Sequence, residues 1–139
     1  MLPRVVLDAN VLISGLIARG PPAALISAWL AGRFTLVVSP TLLAELEQVL
    51  RRPKFRRYAT PQEVADFLAV LRRQAYLVDD PGEATPRLTP DPRDDYLVAL
   101  ARSAGVDCLV SGDAHLTGLT DPSPPVLTAR AFLDLLESA

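Results

Sequence analysis

Arg4-Val5-Val6-Leu7-Asp8-Ala9-Asn10 runs from a β-branched apolar stretch straight into an acid and an amide. An apolar run without alternation is the mark of a strand covered on both faces, as in parallel sheets flanked by helices. An acid at the end of such a strand is poor core material. It is good material for holding a hard cation, because magnesium and manganese prefer carboxylate and water oxygens.

Working outward, short apolar runs alternate with helical stretches along the whole chain. Val11 to Ala18 reads as a short helix closed by Gly20, and Pro22 opens another to about Ala31. Thr35 to Val38 is a second strand. Ser39-Pro40 supplies an N-cap and a first-turn proline for a helix through Leu50, with leucines on one face. Thr60-Pro61-Gln62-Glu63 has the form of a capping box. Tyr76 to Val78 is a short strand, and residues 79–89 form the longest loop. Asp91-Pro92 starts a helix that runs to about Ser103 and ends at Gly105. Cys108 to Ser111 and Val126-Leu127 complete five strands before a closing helix from Ala129 to Leu136. The alternation predicts a single α/β domain over residues 1–139 with a central parallel sheet.

In such sheets ligands bind beyond the carboxyl ends of the strands. Four acids fall where they can reach that edge: Asp8, Glu45 on the helix after strand two, Asp95 in a helix first turn, and Asp113 after Ser111-Gly112. Gly112 is expected to permit a tight turn or a close ligand approach. Carboxylates packed together disfavour one another's ionisation, so four in one place call for a cation. A divalent ion there would lower the pKa of bound water and neutralise charge on a phosphoryl group. Asp94 reads instead as the partner of the Asp91 cap.

The chain is 139 residues long, half of them hydrophobic, with a net charge of −2. Setting the four acids aside leaves 12 acidic against 14 basic residues, so the total does not exclude a nucleic-acid partner. Arg51, Arg52, Lys54, Arg56 and Arg57 are bunched within seven positions, as a solvated charge cluster or as a phosphate-steering patch. No apolar run reaches the ~20 residues of a membrane span, and the single cysteine, Cys108, forms no internal disulfide. A soluble, cytoplasmic protein is expected. His115, the one histidine, reads as a surface or turn residue, which argues against a histidine general base or zinc cluster. Trp29 reads as core or dimer contact, and Cys108 as a small buried strand residue.

Asp8-x-Asn10, Glu45, Asp95-Tyr-Leu-Val-Ala-Leu-Ala and Ser111-Gly-Asp113, in that order, resemble the PIN domain. The strings Leu7-Asp-Ala-Asn-Val-Leu-Ile-Ser-Gly15 and Asp91-Pro-Arg-Asp-Asp-Tyr-Leu97 resemble, more narrowly, PIN-family toxins of bacterial and archaeal toxin–antitoxin pairs. The resemblance spans roughly Pro3 to Leu136. It implies a three-layer α/β/α fold and a Mg²⁺- or Mn²⁺-dependent ribonuclease with Asp8, Glu45, Asp95 and Asp113 as metal-binding catalytic acids. Asn10 and Ser111 would support them, and Asp95 is preferred to Asp94 because it keeps the family's distance to Asp113. Arg51, Arg52, Arg56 and Arg57 would guide the RNA backbone. A homodimer, and a small antitoxin covering the acidic pocket, are implied as partners.

Two other readings compete. Phosphatases and receivers with an aspartate after a parallel strand need a lysine near the phosphoryl group, yet Lys54 lies in the basic segment. The dehalogenase-type enzymes also need a second aspartate where Asn10 stands. The other is a non-catalytic metal- or nucleic-acid-binding module.

Overall fold

The computed structural model describes residues 1–82 and 87–138. Its elements run β1 (Arg4–Leu7), α1 (Ala9–Ile17), α2 (Pro21–Leu30), β2 (Thr35–Val38), α3 (Pro40–Leu50) and α4 (Pro61–Gln74), then β3 (Tyr76–Leu77) and α5 (Pro92–Ser103). β4 (Cys108–Val110), α6 (Ala114–Thr117), β5 (Val126–Leu127) and α7 (Ala129–Ser138) follow, and a 3₁₀ turn, Pro53–Phe55, lies between α3 and α4. Part of the longest expected loop, residues 83–86, lies outside the described residues.

The five strands form one sheet in the order β3-β2-β1-β4-β5, and every pairing is parallel. Val5, Val6 and Leu7 are fully buried, as the unbroken apolar run predicts. From β1 the chain winds through β2 to β3, then crosses back to β4 on the other side of β1. Right-handed crossovers put α5 on the face opposite α1–α4 once the winding direction reverses. Accordingly α1 packs on α2 and α3, α3 on α4, and α7 on α2, whereas α5 lies against β1 and β4. The reversal between β1 and β4 is the crevice where ligands bind in such sheets.

Local chemistry sets the helix starts. Ser39 Oγ accepts from Leu42 N–H at 3.2 Å, and Thr60 and Glu63 form the reciprocal capping box at 3.1 and 3.0 Å. Of the expected boundaries that move, two have a local cause. α1 begins at Ala9 because Asp8 itself is its cap. Gly20, at φ 125°, caps the start of α2 instead of closing α1, since this backbone conformation is closed to most side chains. Trp29 is buried in the core, with Phe34 edge-on to Phe132 at 5.3 Å. Burial pushes the Cys108 thiol up to about 12, which makes it a packing residue. No single helix among the described residues is long and apolar enough to cross a membrane.

Candidate metal centre

β1 and β4 deliver the first two parts of the site side by side. The Asp8 N–H donates to Val110 O at 2.9 Å, so the two strand ends are tied together where both chains leave the sheet. Ser111, fully buried, donates from Oγ to Asp8 Oδ2 at 2.8 Å and accepts from Asp113 N–H at 3.0 Å. The other Asp8 oxygen accepts from Asn10 N–H at 3.3 Å. Burial raises the Asp8 pKa above its ordinary value, opposed by the Ser111 and Asn10 hydrogen bonds and reinforced by the charge of Asp113.

A cleft of about 370 Å³ opens beyond these strand ends, and its acids are Asp8, Glu45, Asp91, Asp94 and Asp113. Glu45 reaches it from the half-buried side of α3. Burial raises the Glu45 pKa, with Arg93 pulling against it and Asp8 and Asp91 adding to it. Asp94 is only 5% exposed, and its Oδ2 is buried without a hydrogen-bond partner. Burial first, then the charges of Asp113, Asp91 and Asp8, push its pKa up to about 6. An orphaned carboxylate oxygen facing other carboxylates is costly unless a cation joins them. The carboxylates therefore suit a hard divalent ion, with Asp94 and Asp113 close enough to share one and Asp8 and Glu45 lining the same cleft.

Asp95 is placed differently from its expected role. Its Oδ1 accepts from Leu88 N–H (3.0 Å), Thr89 N–H (2.8 Å) and Thr89 Oγ1 (3.0 Å), so it anchors the segment entering α5 and does not line the cleft. Thr89 Oγ1 in turn accepts from Asp91 N–H at 3.2 Å. The expected capping role of Asp94 also falls away: Asp91 caps α5 alone, through Arg93 N–H at 2.9 Å. Neighbouring helical residues point about 100° apart, so α5 can aim one acid at the cleft and the next at the loop. Gly112 needs no special conformation, because its φ is not positive and a Cβ there would meet nothing within 4 Å.

The basic residues divide. Arg52 and Lys54 of the basic cluster line the cleft, together with Arg93, which the sequence did not single out. Arg51 pairs with Glu47 at 3.0 Å, Arg56 lines a separate hollow with Leu50 and Val64, and Arg57 lies over the Tyr58 ring at 5.9 Å. His115 is exposed in the first turn of α6, in keeping with its reading as a surface or turn residue, and its Nδ1 lies 3.4 Å from Asp113 Oδ1 and 3.9 Å from Asp94 Oδ2. Its spacing of two from Asp113 was the available signal of that closeness.

A family model described as PIN domain matches residues 4–115. The chain belongs to the PIN domain family. Among solved structures it is similar to PAE2754 from Pyrobaculum aerophilum, with TM-score 0.70 and 15% identity over 99% of this chain and 91% of that one. It is also similar to the PIN domain of human SMG5, with TM-score 0.50 and 14% identity over 98% of each chain. At such identities these likenesses show the PIN fold alone. No curated protein matches the chain by sequence. PIN domains are typically nucleases, and the acidic cleft of this one sits at the sheet's switch point.

Proposed function

We propose that this PIN domain is a divalent-metal-dependent endoribonuclease, using Mg²⁺ or Mn²⁺. The observation that carries the reading is the buried, unpartnered Asp94 oxygen in one cleft with Asp8, Glu45 and Asp113. The assignment takes Asp94 in place of Asp95. A divalent ion bound here lowers the pKa of water and offsets charge building on a phosphoryl group.

The chain's own residues do the rest. Ser111 and the Asn10 N–H hold the Asp8 carboxylate in one orientation, so little reorganisation is needed when it takes up charge. Glu45, raised in pKa and half-buried, is suited to orient the attacking water and take its proton. Arg52, Lys54 and Arg93 at the rim would hold the phosphate backbone. RNA is favoured as substrate because PIN-domain nucleases act on it. The toxin role, a small antitoxin covering the cleft and a homodimer extend this reading from the sequence resemblance, and a cytoplasmic location from the composition.

The test is a manganese-dependent assay on single-stranded RNA with Asp8→Asn as control. Cleavage by the parent and not by the variant is expected. Equal cleavage by both would mean a contaminating nuclease and sink the reading.

A further inference from the structure

We propose that His115 supplies an imidazole nitrogen to the ion that Asp94 and Asp113 hold, giving a mixed nitrogen–oxygen site that prefers a transition-metal ion such as Mn²⁺ to Mg²⁺. The inference rests on the divalent-cation part of the function proposed above.

Asp94, Asp113 and His115 each offer one ligand atom, and the three atoms lie within 4.8 Å of one another. The His115 Nδ1 separations of 3.4 and 3.9 Å exceed an ordinary N–H···O hydrogen bond. They fall between the separations of adjacent and opposite ligands of one octahedral ion, about 3.0 and about 4.2 Å for bonds of about 2.1 Å, so a small adjustment lets both sides reach one ion. The independent sign of a cation site is Asp94 Oδ2, buried and without a hydrogen-bond partner, which faces this same nitrogen.

The histidine backbone is anchored to the acids. Ser111 Oγ links Asp8 to the Asp113 N–H, and Asp113 Oδ1 accepts from His115 N–H at 2.8 Å. The first turn of α6 is therefore fixed relative to the cleft before any ion arrives. Magnesium favours an all-oxygen shell, whereas imidazole suits the transition metals, so one nitrogen ligand biases the choice.

The experiment is titration of Mn²⁺ and of Mg²⁺ into the parent, His115→Ala and Asp94→Asn by calorimetry, with pulsed electron paramagnetic resonance on the Mn²⁺ samples. The parent should show nitrogen coupling to bound Mn²⁺. His115→Ala, an exposed position, should lose that coupling and bind Mn²⁺ about tenfold or more weakly, with Mg²⁺ affinity unchanged. Asp94→Asn should weaken both ions. Equal Mn²⁺ affinity in parent and His115→Ala, with no nitrogen coupling, would overturn the role of His115 while leaving the carboxylate site standing. Failure of the parent to bind either ion would overturn both.

Discussion

Ser111 Oγ and Asp8 Oδ2 lie 2.8 Å apart, joining the ends of two strands 103 residues distant in the chain. Both residues are buried, so this bond both seals the sheet end and orients the cleft's first acid. Ser111→Ala would leave Asp113 N–H without its acceptor and Asp8 with one fewer donor. A loss of about 1–3 kcal/mol is expected in urea denaturation. The Asp8 pKa should rise further, because a bond that lowers it is gone. Unchanged stability would show that the bond contributes little.

Asp94 and Asp95 should separate cleanly by substitution. Asp94→Asn should abolish metal-dependent cleavage while the fold holds. Asp95→Ala should cost about 1–3 kcal/mol, by stripping the acceptor from two loop amides and a hydroxyl. Hydrogen exchange at the Leu88 and Thr89 amides reads this directly, and should accelerate only in the Asp95 variant. The reverse pattern would restore Asp95 as the cleft acid.

Without added metal, and with a chelator present, the stability that Asp94 contributes should fall as pH rises from about 3.8 to about 6. The Asp94 pKa lies near 6 when folded against an ordinary 3.8, so the folded protein binds the proton more tightly. The stabilisation from this group is complete below about pH 3.8 and is lost as pH rises through about 6. Asp8 and Glu45 shift in the same direction. Thermal unfolding of Asp94→Asn should show a flatter profile, and its melting temperature at neutral pH should exceed the parent's. Saturating Mn²⁺ should reverse the parent's loss, since binding to the folded state alone stabilises it.

Gly15→Ala tests the packing of α1 on α2. A Cβ there would overlap the Ile26 side chain and lie 3.0 Å from the Pro22 carbonyl oxygen. Overpacking of this kind costs about 1–3 kcal/mol. A variant as stable as the parent would mean that Ile26 moves aside freely.

The amino-acid sequence by itself determined the strands, the caps at Ser39, Thr60 and Asp91, and the direction of the sheet's carboxyl edge. These depend on near neighbours: the unbroken Val5-Val6-Leu7 run, the hydroxyl of Ser39 three residues before its acceptor amide, the Thr60–Glu63 box. That Asp8 and Glu45 lie at the cleft was legible for the same reason, because each has a defined offset from a strand end. Only the tertiary structure fixed where Asp94 and Asp95 lie, since their side chains diverge about 100° on one helix. The packing of α5 against β1 and β4 sets its rotation, and that places the buried Asp94 oxygen over the cleft and gives Asp95 to the Thr89 loop. Tertiary structure likewise brought Arg93 into one cleft with Asp8 and Glu45, and His115 near Asp94, across chain distances that no local pattern spans. Chain-distant contacts arise from how layers pack, and no single segment carries that information.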